Sequence, residues 1–578
     1  MDPQLLGERT TIGLFFRQAA RHGDRTVVRY HDGDGWRGAS WSRMADLCLR
    51  VAARLVREGV HAGDRVAIMA ENRVEWLYCD LAIQAAGAVT VPIYPSTPAR
   101  TAQVIADDAG IGVAFVADEL RERLHVERVV GFDADLPAWV AEPADPELLA
   151  EVQSRAAAVQ PDDLATLVYT SGTTGLPKGV MLPHRCFVDM AHSCLEVFEL
   201  GPEDEALSFL PYSHVFERIN GIFVGLAAGA SAWVSRGIPK LVDDLQECRP
   251  TVMVSVPRVY EKMYQQVMAI VREQPAHRRA IFRWAIAQGR RRMRGQPAPL
   301  YGLADRIVLS SIRRRLTGGR LRFFVSGGAP LSAEIESFFW AIGVKILNGW
   351  GMTETASGAT SNTEQRHEFE SVGPPLPGVE IRIAQDGEIL VMSPGNMLGY
   401  YNNPEATAET LDDGWVRTGD IGELDAAGFL RITDRKKELL KTAGGKFVAP
   451  APMETRLMQD PAIERAVVIG DELPYVTALV VPDWQTLQAV HGISGSPETL
   501  VDDERARAVV QHAVDELNRD LGSWESIKYF TLLPHDFSEE GGELTPTLKV
   551  KRRIVQERYR DPIESMYKGK VRPPAAAH

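Results

Sequence analysis

Apolar and polar positions alternate in two rhythms over the first third of the chain. Met44, Leu47, Val51, Leu55 and Val56 recur at helical spacing, which predicts a helix with one buried face. Short apolar runs at residues 65–69 and 89–93 predict strands on either side of a helix over 75–86. Strand, helix and strand in succession predict a parallel sheet with right-handed crossovers. The same unit recurs around residues 251–260 and 321–325, each followed by a helical pattern. From Gly378 the rhythm shortens to strands parted by turns at Asp386-Gly387 and Asp413-Gly414, which predicts a small barrel-like subdomain. Past a boundary at 433–440, residues 466–469 and 477–481 are strand candidates, with a long helix over 503–517. The expectation is an α/β protein. Residues 1–433 form a large domain of parallel-sheet αβα layers with the barrel-like subdomain, and residues 434–578 form a small α+β domain.

Composition narrows the functions available. The chain has 578 residues, of which 45% are hydrophobic and 24% charged, enough for several cores. A net charge of −13 argues against nucleic acid as a partner. Five cysteines without a CxxC pair suit a reducing compartment and no structural zinc. The first nine residues include Asp2 and Glu8 and lack the apolar stretch of a signal peptide, so a cytoplasmic location is expected. The least polar stretch, residues 221–234, is too short and too rich in Gly, Ala and Ser for a membrane span, and reads as a buried helix.

The densest chemistry lies in residues 169–181, YTSGTTGLPKGVM. Thr170, Ser171, Gly172, Thr173, Thr174 and Gly175 are all hydroxyl or glycine positions, and Lys178 follows. Short hydroxyls donate to phosphate oxygens, glycines let backbone N–H groups approach, and lysine adds a compact positive charge. Such runs are often plain turns. Here, however, residues 164–169 read as a buried strand, which anchors the loop at a sheet edge where ligands gather. Pro177 before Lys178 and Gly179 after it exclude a Walker A loop.

This segment resembles the phosphate-binding signature of the acyl-activating, adenylate-forming superfamily, and further motifs follow in that superfamily's order. Residues 348–355, NGWGMTET, resemble its adenine-and-metal motif. The resemblance makes Asn348, Gly349, Trp350, Gly351, Met352 and Thr353 nucleotide-binding, with Trp350 against adenine and Glu354 on the magnesium side. Asp420, in WVRTGD, matches the aspartate that accepts the ribose hydroxyls, and Arg435 the ribose-contacting arginine. Lys437 matches the hinge, Gly444, Gly445 and Lys446 the loop lining the thiol channel, and Lys549, in LTPTLKVKRR, the catalytic lysine. In SGGAPL, residues 326–331, Gly328 and Ala329 match the place where the acyl carboxylate meets the adenylate. Taken alone, Trp350 could be core, Asp420 a turn cap, and the basic run at 549–553 a solvated face.

The resemblance implies an enzyme with ATP, Mg2+ and coenzyme A as co-substrates. Lys549, Glu354 and Lys178 would be catalytic, and Thr170 and Glu354 would lie beside the metal. Residues 211–219 and 255–263, PYSHVFERI and SVPRVYEKM, resemble long-chain fatty acyl-CoA synthetases more than acetyl- or aryl-activating relatives. The implied reaction is activation of a long-chain fatty acid to acyl-AMP and then to a CoA thioester, a step in fatty acid and lipid metabolism. His214, Phe338, Phe339 and Trp340 are candidates for handling the acyl chain, or else structural. Residues 278–294 carry seven arginines among aromatic and aliphatic residues, which fits either peripheral membrane contact or a solvated basic helix. The alternatives are a fatty acyl-AMP ligase loading a carrier protein, a luciferase-like oxygenase, and a non-enzymatic interaction protein on the same scaffold. A homodimer is an open alternative to the monomer.

Overall fold

The computed structural model describes residues 4, 7–141, 143–171, 177–436, 439–443, 446–538, 541–544 and 550–568. Two large sheets organise the first 400 residues or so. One has seven strands, in the spatial order 399–400, 177–183, 164–171, 89–93, 65–69, 111–116 and 128–131. The other has eight, in the order 360–361, 345–350, 323–326, 252–255, 205–208, 231–234, 26–31 and 36–40. Apart from strand Pro177–Pro183, their inner strands are parallel, as the strand-helix-strand rhythm predicts.

Helix Val74–Ala85 touches strands of both sheets, and every one of its residues except Glu75 is buried. A helix in the middle of such a sandwich needs no polar stripe, and this one has none. It carries Asp80, whose carboxylate accepts from Arg218 Nε at 3.0 Å and from Thr90 Oγ1 and Gln84 Nε2, both at 2.8 Å. Arg218 Nη1 also donates to Thr166 Oγ1 at 2.7 Å. This buried ion pair therefore ties strand Leu164–Ser171 of one sheet to segment Phe216–Phe223, a π-helical stretch.

The expected buried helix over 221–234 is corrected by the structure. Helix Val224–Ala228 ends at Gly229, whose φ of +71° only glycine adopts without strain, and Ser231–Val234 is a parallel strand between Glu205–Ser208 and Thr26–His31.

The short strands after Gly378 form a five-stranded antiparallel sheet. In the last quarter, strands Ile463–Ile469, Val476–Pro482 and Ile527–Leu532 form a three-stranded sheet. Its residues alternate between two cores. Ala466 and Val468 pack with Met453, Leu457, Val510 and Val514 of helices Pro450–Leu457 and Glu504–Asn518. Val467 and Ile469 face Val555, Ile563 and Met566 of helices Arg552–Arg558 and Arg560–Tyr567. Glu464 joins this sheet to helix Pro257–Arg272, accepting from Lys262 Nζ at 2.9 Å and also pairing with Arg258.

Candidate functional site

The glycine- and hydroxyl-rich loop joins two antiparallel strands, Leu164–Ser171 and Pro177–Pro183, in a register that places Thr170 opposite Lys178. Strand Gly399–Tyr400 adds to the outer edge of this hairpin, and the Tyr401 N–H donates to the Gly179 carbonyl at 2.8 Å. Tyr400 is thereby carried to Lys178, whose Nζ lies 5.1 Å from the centre of its ring.

Strand Lys345–Trp350 runs parallel to Phe323–Ser326, so the loops that follow them, at 351–359 and 327–332, emerge at the same edge. Ligands of α/β sheets bind at such carboxyl ends. The first loop reverses at once. A side chain at Gly351 would place its Cβ 1.7 Å from the Ser357 carbonyl oxygen, so only glycine fits. Ala356 and Ser357 take positive φ, and the Ala359 N–H donates to the Trp350 carbonyl at 2.8 Å. Gly349 pairs with Ser361 on the returning strand. Met352 and the single turn Thr353–Thr355 then hold Glu354 at the crown of the loop.

Glu354 is buried, and its Oε1 accepts from the Tyr400 hydroxyl at 2.7 Å. Burial and the neighbouring Glu354 charge push the Tyr400 pKa up, which keeps the phenol a donor. The carboxylate is thus fixed through Oε1.

Four residues back, Trp350 Nε1 donates to Asp420 Oδ2 at 2.8 Å. Arg435 stands opposite Asp420 in the antiparallel ladder of strands Trp415–Leu424 and Leu430–Arg435, and its Nε reaches Oδ1 at 2.9 Å. Asp420 is buried and accepts only, so two donors occupy part of its capacity and leave lone pairs for further hydroxyls.

The structure thus joins Lys178 to Glu354 through Tyr400, and Trp350 to Asp420 and Arg435, on adjoining loops. Gly328 and Ala329 are exposed on the neighbouring loop at the same edge, and the Asn348 carbonyl accepts from the Asn362 N–H at 2.8 Å. Lys446 lies elsewhere, its Nζ 5.7 Å from the Trp524 ring centre. Gly172, Thr173, Thr174, Gly175, Lys437, Gly444, Gly445 and Lys549, and the side chain of Ser171, lie outside the described residues. Tyr400 was missed in the sequence, where nothing in GYYNNP marks it. Its role comes from the edge strand that delivers it.

Of the residues considered for the acyl chain, Phe338 and Phe339 are interior, packed edge-to-face with Tyr264 and Tyr260. Trp340 Nε1 donates to the Ile346 carbonyl at 3.0 Å. His214 Nδ1 accepts from the Phe216 N–H at 3.1 Å, capping the turn into the π-helical segment. All four have structural work. Among the described residues no group of three or more His, Cys, Asp or Glu could hold a metal ion. Glu354 and Thr170 supply oxygen only, which suits Mg2+ bound mainly through a substrate's phosphates.

Residues 15–401 match the model of the AMP-binding enzyme family, and residues 437–571 match that of the AMP-binding enzyme C-terminal domain. A long-chain-fatty-acid–CoA ligase of Mycobacterium tuberculosis is 35% identical over 98% of each chain. Fatty acyl-CoA synthetase A of Dictyostelium discoideum is 30% identical, covering 92% of this chain and 87% of its own. Among solved structures, ATP-bound MatB from Rhodopseudomonas palustris superposes with a TM-score of 0.71 at 25% identity, over 96% of this chain and 99% of that one. A Mycobacterium tuberculosis fatty acyl CoA synthetase does so with a TM-score of 0.63 at 22% identity, over 96% and 99%.

Proposed function

Because the chain belongs to the AMP-binding enzyme family, we propose that it is an AMP-forming ligase that joins a long-chain fatty acid to coenzyme A. In the first step a carboxylate oxygen attacks the α-phosphorus of ATP. The acyl–O–P bond forms as the bond to pyrophosphate breaks. In the second, the coenzyme A thiol loses its proton and attacks the acyl carbon, and AMP leaves. A free carboxylate carries no leaving group and repels nucleophiles, so the adenylate is what makes the thioester accessible.

The barrier to the first step is electrostatic, since an anion must approach a polyanion in line. Lys178 and its loop would offset the charge of the β- and γ-phosphates. Glu354, with Thr170, would hold the magnesium that accompanies the triphosphate and supplies Lewis-acid charge there. Asp420 would accept the ribose hydroxyls, with Trp350 beside the base. Lys549 would bridge carboxylate and α-phosphate before giving way, as the domain from residue 434 turns about Lys437, to a thiol path along Gly444, Gly445 and Lys446.

The observation that carries this reading is the convergence of Trp350 and Arg435 on Asp420, one short turn from the Glu354–Tyr400–Lys178 group. Coenzyme A as acceptor, rather than a carrier protein, is favoured by the named ligases that match end to end.

Contact with an anionic membrane surface belongs to the same reading. Residues 274–322 hold thirteen arginines and one carboxylate, Asp305, in a chain of net charge −13. Ile281, Leu300, Leu303 and Ile307 are exposed among them, while Ala285, Ile286 and Gly289 of helix Ala276–Met293 face inward. Among the described residues no helix is long and apolar enough to cross a membrane.

The test is a panel of carboxylic acids of graded length with ATP, magnesium and coenzyme A, reading AMP and thioester separately. AMP and thioester formed together on long acids are expected. AMP without thioester would move the assignment to an acyl-AMP ligase, and neither product on any acid would overturn it.

A further inference from the structure

Strand Glu388–Met392 pairs antiparallel with Trp415–Leu424, and the pairing slips where Asp420 sits. Leu390 stands opposite Arg417 and Glu388 opposite Ile421, which leaves Ile389 facing Thr418, Gly419 and Asp420. Such a bulge re-aims side chains, and this one carries the Asp420 carboxylate to Trp350 and Arg435. At its turn Gly419 takes a φ of +71°, which only glycine adopts without strain.

Three peptide groups displaced by the bulge find partners nearby. The Gly419 N–H donates to Glu388 Oε1 at 2.9 Å, the Asp420 N–H donates to Thr418 Oγ1 at 3.1 Å, and the Gly419 carbonyl accepts from the Lys436 N–H at 2.7 Å. Glu388 is buried, and its second oxygen, Oε2, accepts from Lys436 Nζ at 3.0 Å. The same ammonium donates to Asp386 Oδ2 at 2.6 Å. Lys436 directly follows strand Leu430–Arg435 and directly precedes Lys437. Backbone and side chain of Lys436 are therefore both fastened to the sheet that carries Asp420.

We propose that Glu388 is a positioning residue that joins the ribose carboxylate to the hinge; this rests on the nucleotide-site and hinge readings above. Through Oε1 it fixes the bulge that aims Asp420. Through Oε2 it fastens Lys436, so the turning part of the chain begins only beyond that residue. A carboxylate can do both because its two oxygens accept independently. The Lys436 ammonium then acts on nucleotide binding through Glu388, and its effect vanishes when that carboxylate is gone.

The experiment measures ATP–pyrophosphate exchange and thioester formation by the full-length enzyme and by Glu388→Ala, Glu388→Gln, Lys436→Met and the double variant Glu388→Ala with Lys436→Met. Glu388→Ala leaves the Gly419 N–H without its acceptor and should raise KM for ATP about tenfold, the scale of one lost hydrogen bond to a charged group. KM for the fatty acid and for coenzyme A should not change. Glu388→Gln keeps an oxygen for Gly419 and loses only the ion pair, so it and Lys436→Met should each raise KM for ATP about threefold. Adding Lys436→Met to Glu388→Ala should change nothing further. Trypsin should cut Glu388→Gln after Lys436 and Lys437 about threefold faster than wild type, because an unfastened segment opens more often. Equal rises in all three KM values, additive effects in the double variant, or a tryptic rate in Glu388→Gln equal to that of wild type overturn the proposal. If Glu388→Ala does not fold, the glutamine and methionine variants decide it, and an unchanged KM for ATP in both overturns it. A wild type that exchanges no pyrophosphate with any acid instead overturns the nucleotide-site reading itself.

Discussion

The Tyr400 hydroxyl donates to Glu354 Oε1 at 2.7 Å while its ring lies under the ammonium of Lys178, 5.1 Å from Nζ to the ring centre. One side chain therefore positions both a carboxylate and a lysine. Tyr400→Phe keeps the ring and deletes the hydroxyl. It should lower acyl-adenylate formation about tenfold, as the loss of one hydrogen bond to a charged group does. ATP–pyrophosphate exchange would measure it. Thioester formation from supplied acyl-adenylate should stay near the wild-type rate.

Trp350→Phe separates two jobs of that ring. The aromatic face remains, and the N–H that holds Asp420 at 2.8 Å is lost. KM for ATP should rise about fivefold, with kcat changed less, because one hydrogen bond to a binding carboxylate is missing. Steady-state kinetics over a range of ATP concentrations decide this. An unchanged KM would mean that Arg435 alone suffices to orient Asp420.

Glu217 is buried within the π-helical segment, accepts from Ser208 Oγ on Oε1, and has no partner on Oε2. Burial pushes its pKa up from 4.5 to about 8. The folded state then binds a proton that the unfolded state has lost, so stability falls as pH rises through the window from 4.5 to about 8. Glu217→Gln should flatten that slope and gain relative to wild type above about pH 8. Urea titrations between pH 5 and 9 would show whether the two curves converge at low pH as expected.

Asp80→Ala strands the Arg218 guanidinium between the two sheets. Breaking one half of a buried pair should cost about 3–5 kcal/mol. Asp80→Ala combined with Arg218→Met should recover part of that loss, because no charge is then left buried. Chemical denaturation of the three variants measures the coupling, and strictly additive losses would deny it.

The arginine-rich face at 274–322 should bind vesicles containing phosphatidylserine at low ionic strength and release them at high salt, as screened charge attraction requires. Reversing Arg278, Arg279 and Arg283 to Glu should weaken sedimentation with those vesicles, with little change in rate on a fatty acid presented in detergent micelles.

Much of this was legible in the sequence, for reasons that differ by element. Strands Arg65–Met69 and Val89–Ile93 are short apolar runs inside a parallel sheet, and composition alone marks them. The reading of 221–234 failed because a continuous apolar stretch has no period to distinguish helix from strand, and Gly229 divides it into one of each. Trp350 and Asp420 were legible as members of motifs, but their hydrogen bond was not, since it joins residues seventy apart. Tyr400 was invisible. It acts through neighbours brought up by sheet pairing, which local pattern does not encode.

Since the sheet formed by Ile463–Ile469, Val476–Pro482 and Ile527–Leu532 covers both of its faces with helices from its own stretch of chain, that lobe owes little of its integrity to the rest of the molecule. One of its outward links, through Glu464, is ionic, and breaking it leaves charges that water can solvate. Releasing that particular contact therefore costs little, as for any partly exposed ion pair.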